Sequence, residues 1–92
     1  MMELKVTAQF RKDYKRCKKR GLDMALLKDV ISALLDGKTL DARYRDHALI
    51  GNYAGFRECH VQPDWLLIYR SDKSTLILTA ARTGSHSDLL DV

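Results

Sequence analysis

The stretch FRECHVQPDWLLIYRSDKSTLILTAAR, residues 56–82, decides the fold. It is rich in aromatic and aliphatic residues, and two turn signals interrupt it. Pro63-Asp64 is the first, since proline presets the turn backbone and aspartate suits it. Ser71-Asp72-Lys73-Ser74 is the second. Three strands are therefore expected, over 56–61, 65–70 and 75–82. Within the middle strand, Trp65, Leu67 and Tyr69 share one face and Leu66 and Ile68 the other. Consecutive strands with such short turns form an antiparallel meander.

Upstream, the spacing changes. Residues 2–7 alternate apolar and polar, as a half-buried strand does. Thr7 is placed to cap a helix over 8–20, in which Phe10, Tyr14 and Cys17 form one apolar stripe. Gly21 ends it, and Asp23 starts a second helix carrying Met24, Leu27, Val30, Ile31, Leu34 and Leu35 at helical spacing. Gly37 closes that helix. A connection this short predicts an antiparallel helix pair. Residues 38–55 then read as a long loop, with room for one short strand, and loops of this kind often carry function. Thr83-Gly84-Ser85-His86 reads as a last turn leading into the tail. The predicted architecture is α+β: an N-terminal strand, a helix pair and a meander, with the helices on one sheet face and the other face, or part of it, free for a site.

Ninety-two residues fit one domain, taken as 1–92. With 46% hydrophobic and 30% charged residues, the chain has the balance of a globular protein rather than a disordered one. The longest apolar run, Trp65 to Tyr69, is far short of a membrane span, and the N-terminus lacks the apolar stretch of a signal peptide. Cys17 and Cys59 have no metal-binding spacing and are expected to be free and structural. A cytoplasmic location follows as the expectation. The net charge of +4 is mild, but eight of the sixteen Lys and Arg residues fall between Lys5 and Arg20, with one acidic residue, Asp13, among them. Such a block suits a polyanion or an acidic protein as well as it suits a solvated helix face.

All three histidines lie after residue 46. His47 is in the long loop, His60 near a strand end and His86 in the last turn. Asp64 flanks the turn after His60, and Arg82 ends the final strand. Each alone reads most simply as structural. As a set they suit RNA cleavage by transesterification. One imidazole deprotonates the ribose 2′-hydroxyl, another protonates the leaving 5′-oxygen, and arginine steadies the charge on phosphorus. No metal or other cofactor is needed. A His/Asp zinc site is the competing use of the same residues and lacks a close histidine pair. Trp65, beside Asp64, is the aromatic best placed to stack on a base, as Tyr53 and Phe56 also could, although core packing explains most of these rings.

Three motifs occur in order: Asp46-His47-x-Leu49-x-Gly51, then Arg57-x-x-His60-x-x-Pro63-Asp64-Trp65-x-Leu67-x-Tyr69, then Arg82-x-Gly84-Ser85-His86-x-x-Leu89. With them the chain resembles the YafQ branch of the RelE/ParE toxin superfamily over nearly its whole length. The resemblance implies a RelE-like fold and the toxin of a type II toxin–antitoxin pair, one that cuts messenger RNA in the ribosomal A site. It implies catalytic roles for His47, His60, Asp64 and His86, and contact of Arg82 with the scissile phosphate. It places Trp65, Arg57 and Leu90 at the substrate, although relatives often carry phenylalanine where this chain has Leu90. The basic residues Arg11, Lys12, Lys15, Arg16, Lys18, Lys19 and Arg20 would then face ribosomal RNA. An antitoxin partner, in a hetero-oligomer, is implied as well. The alternatives are a toxin-fold protein that blocks a protein target such as gyrase, and a plain RNA-binding module.

Overall fold

The computed structural model describes residues 2–90, and of Leu90 the backbone alone. Its elements run β1 (Glu3–Val6), α1 (Ala8–Lys19), α2 (Met24–Leu35), β2 (His47–Ala48), β3 (Arg57–Gln62), β4 (Trp65–Asp72), β5 (Ile77–Gly84) and α3 (His86–Leu90). Single 3-10 turns lie at Ala42–Tyr44 and Gly51–Tyr53. The five-stranded sheet has the order β1-β5-β4-β3-β2. The meander β3-β4-β5 is antiparallel, as expected, while β1 lies parallel beside β5, making the sheet mixed.

Helix starts follow the sequence signals. Thr7 Oγ1 accepts the Phe10 amide at 2.9 Å, and the same hydroxyl donates to the Ala81 carbonyl at 2.7 Å. One side chain thus caps α1 and ties it to β5. Asp23 caps α2 through the Ala25 amide.

The helix pair covers one face of the sheet. Phe10, Cys17, Leu27, Val30 and Ile31 pack there against Cys59, Val61, Trp65, Leu67, Tyr69, Leu78 and Ala80. Both cysteines are buried free thiols, and burial pushes the Cys59 thiol up to about 12. The opposite face is covered in part. Leu66, Ile68, Ala81 and Leu89 form a second apolar cluster, closed over by Leu49, Tyr53 and Phe56. Leu66 and Ile68 are too apolar to leave in water, so the 49–56 segment and α3 cover them.

Several boundaries differ from the expectation, with β4 running on to Asp72 and β5 to Gly84. The last strand starts at Ile77, because Asp72 accepts the Ser74 and Thr75 amides and Leu76 takes φ +56°, which prolongs the turn. The residues after Gly84 form a helix instead of an irregular tail. Ser85 Oγ accepts the Asp88 amide at 3.1 Å and Asp88 accepts the Ser85 amide at 3.0 Å, a reciprocal cap written in the sequence as Ser-x-x-Asp.

Candidate active site

Strand register builds the site. His47 stands opposite Glu58, Glu58 opposite Ile68, and Ile68 opposite Arg82. Directly opposed residues share a face, so these four cross the sheet as one row on the side away from the helix pair. The neighbouring row is His60, Leu66 and Gly84. Between Ile68 and Tyr69 the β4–β5 register slips by one residue, leaving Ala81 as the extra residue of a bulge. The bulge lets Ala81 pack in the second cluster while Arg82 still faces Ile68.

The three imidazoles form a line. The rings of His60 and His86 lie 5.6 Å apart, and those of His47 and His60 6.5 Å apart. Each Nδ1 is already engaged. His47 Nδ1 donates to the Arg45 carbonyl at 2.7 Å, and His60 Nδ1 to the Pro63 carbonyl at 3.2 Å. A carbonyl can only accept, so these contacts fix the Nδ1–H form and leave Nε2 for chemistry. His86 Nδ1 lies 2.6 Å from Asp64 Oδ1, which also accepts the His86 backbone amide at 3.0 Å. The His86 contact holds the Asp64 carboxyl below its ordinary range.

Glu58 is the residue that sequence reasoning missed. It is 4% exposed, and its Oε1 lies 3.5 Å from His47 Nε2 and 3.9 Å from His60 Nε2. Its Oε2 has no hydrogen-bond partner among the described residues. A carboxylate is rarely buried without compensation, so its place between two imidazoles is informative. The period-2 spacing of Glu58 and His60 was a usable signal; the pairing of His47 with Glu58 was not, because β2 is only two residues long.

Arg82 is held from behind. Its Nε and Nη2 donate to Asp13 at 2.7 and 3.3 Å, and its side chain is 21% exposed. β1 stops pairing at Ala80, so α1 takes over the free edge of β5. There the fully buried Asp13 accepts the Thr83 amide at 3.2 Å, Arg16 at 3.0 Å and Gln9 at 3.1 Å.

Several expected site residues stand elsewhere. Trp65 is 2% exposed in the helix-side core, and its Nε1–H donates to Thr83 Oγ1 at 2.9 Å. Its ring is thus a core element, unavailable for stacking on a base. Arg57 lies opposite Tyr69, on the helix side of β3, and binds Asp46 through Nε and Nη2. Tyr69 Oη donates to the same carboxylate at 2.6 Å, so Arg57 secures the segment entering His47 rather than facing the histidines. The Leu90 side chain lies outside the described residues. In the basic helix, Arg16 and Arg20 are committed to internal ion pairs: Arg20 grips Asp88 at 2.6 and 3.1 Å, and Arg16 reaches Asp13 and Asp88. Arg11, Lys12, Lys15, Lys18 and Lys19 make no ion pair among the described residues and are exposed. Among the described residues, no group of three or more His, Cys, Asp or Glu side chains is disposed to hold a metal ion. No helix among them is long and apolar enough to cross a membrane.

Comparisons with known proteins agree with this fold. The family described as the bacterial toxin of type II toxin–antitoxin systems, YafQ, matches residues 2–91. The mRNA interferase toxin YafQ of Escherichia coli K12 is 40% identical over 89 residues, covering 95% of this chain and 94% of that protein. The crystal structure of YafQ from E. coli BL21(DE3) superposes with a TM-score of 0.90 at 37% identity, covering 97% of this chain and 98% of that one. The E. coli DinJ–YafQ complex gives 0.88 at 38% identity, with the same coverage. The chain therefore belongs to the YafQ family of bacterial type II toxin–antitoxin toxins.

Proposed function

We propose that this protein is an mRNA interferase: a toxin that cleaves messenger RNA in the ribosomal A site by metal-independent transesterification, and that a cognate antitoxin holds in check. Its place of action is the cytoplasm, where messages are translated. The observation that carries the reading is the line of three imidazoles, each with Nδ1 bound to a fixed oxygen.

Nε2 of His47 or His60 takes the 2′-hydroxyl proton, and the 2′-oxygen attacks phosphorus. The bond from phosphorus to the 5′-oxygen breaks, and the departing oxygen takes a proton from His86. The products are a 2′,3′-cyclic phosphate and a 5′-hydroxyl. Asp64 supports the His86 imidazolium through its 2.6 Å contact, and Arg82 offers its guanidinium to the phosphorane-like transition state. The Glu58 carboxylate places a negative charge beside whichever imidazole, His47 or His60, has taken the proton. The exposed lysines of α1 supply the sequence-independent attraction to ribosomal RNA. A protein that only blocks a target has no use for such an array.

The test is His86→Gln, read by primer extension on a translated message and by a thermal melt. General acid catalysis contributes roughly 10²–10⁴-fold, so cleavage should fall by that factor while the protein stays folded. Undiminished in-frame cleavage by His86→Gln would sink the assignment.

A further inference from the structure

A cleft of about 500 Å³ opens beside His60, between Leu26 of α2, the 3-10 turn at Ala42–Tyr44 with Arg45 after it, and Pro63 at the start of the β3–β4 turn. Volumes of roughly 300–1,000 Å³ are typical of small-ligand sites. The cleft combines apolar walls with two guanidinium groups. Arg43 lies over the Tyr44 ring, 4.8 Å from its centroid, and donates to Tyr44 Oη at 2.8 Å.

The charge on these two arginines is not spent within the protein. Arg16, Arg20, Arg57 and Arg82 each have a carboxylate partner. Arg43 and Arg45 have none among the described residues, and both are exposed. An incoming anion beside His60 therefore meets both of them unneutralised. Arg45 also sits in the left-handed region, at φ +50° and ψ +39°, which a non-glycine residue adopts only where its surroundings hold it. That turn aims its carbonyl at His47 Nδ1. Cleft and reactive nitrogens are thus joined by one backbone unit.

We propose that this cleft is a nucleotide subsite for the RNA strand. It takes the nucleotide next to the scissile phosphate, binding that nucleotide's far phosphate on Arg43 and Arg45 and its base against Tyr44, Leu26 and Pro63. The inference rests on the RNA-cleaving reading of the histidine line. It names a substrate contact outside that line and gives the turn before His47 a second role.

The experiment is single-turnover cleavage of ribosome-held messages carrying one uncharged methylphosphonate linkage, placed in turn on either side of the cut. Wild type is compared with Arg43→Gln and with the Arg43→Gln/Arg45→Gln pair. Arg43→Gln keeps the left-handed residue at position 45, whose carbonyl holds His47. For wild type, one flanking substitution should raise the toxin concentration giving half-maximal rate by about tenfold, the scale of one charge-assisted hydrogen bond. In the double variant the same substitution should change it by less than about twofold, because both partner charges are gone, and in Arg43→Gln by an intermediate factor, because Arg45 remains. Fully additive effects would overturn the subsite. Intact messages with wild-type toxin would overturn the enzyme reading itself, a result distinct from additivity.

Discussion

Replacing Asp13 by alanine is expected to be the most damaging single change in the basic helix, although no reaction step involves it. Asp13 is fully buried and accepts from Arg82, Arg16, Gln9 and the Thr83 amide. Burial alone would raise its pKa, but these donors outweigh burial and hold it below the ordinary carboxylate value. Removing one member of a buried charged pair typically costs about 3–5 kcal/mol, because the remaining groups stay desolvated without partners. Here the loss strands the Thr83 amide at the edge of β5 and leaves Arg82, 21% exposed, without its counter-charge. For a domain of this size, with roughly 5–15 kcal/mol in total, that is about a fifth or more of the stability. It corresponds to a fall in Tm on the order of 15–25 °C. Urea unfolding followed by the fluorescence of Trp65, the sole tryptophan, measures it directly. A double-mutant cycle with Arg82→Ala should give a coupling of about 1–3 kcal/mol. Arg82→Ala alone should cost less than Asp13→Ala, since Arg16, Gln9 and Thr83 still satisfy the carboxylate. An Asp13→Ala protein within about 1 kcal/mol of wild type would refute the claim that this carboxylate holds α1 to β5.

Acid should weaken the fold in a defined direction. The Arg20 hydrogen bond, above all, pulls the Asp88 carboxyl far below its ordinary range, and Asp13 is lowered too. The folded state then binds protons less readily than the unfolded chain, so this stabilisation is complete above the unfolded carboxylate value of about 3.9 and is lost as pH falls through the folded values. Urea midpoints between pH 5 and 2 should decline steeply for wild type and less so for Asp88→Asn; parallel declines would refute the linkage. Trp65→Phe should lower stability by about 1–3 kcal/mol, since it leaves a void and removes the donor to Thr83 Oγ1. A thermal melt unchanged from wild type would show that the ring is not the core element described.

The two predicted helices and the three meander strands were legible because each rests on local physics. An apolar run between two turn signals marked β4, Thr7 and Asp23 marked the helix starts, and Pro63-Asp64 marked the turn. The helix at His86 was also written locally, in Ser85 and Asp88, though so short an element gives no periodicity to read. What the sequence could not rank was the set of polar residues. Arg57 and His60 sit three apart in one motif, yet they face opposite sides of the sheet because a strand alternates its side chains. Trp65 neighbours Asp64, yet its ring is buried while the carboxylate is exposed.

Sequence by itself therefore determined the elements, their order, the family, and which residue types could perform acid–base chemistry. Tertiary structure decided which of those residues meet. Cross-strand register set His47 beside Glu58, and the β5 bulge set Arg82 beside Ile68. The free edge of β5 called Asp13 out of the basic helix to hold Arg82, and Asp88 claimed Arg16 and Arg20. These contacts span up to seventy residues of chain, and no local spacing encodes them. Only the packed sheet fixes which of the cations have a carboxylate partner.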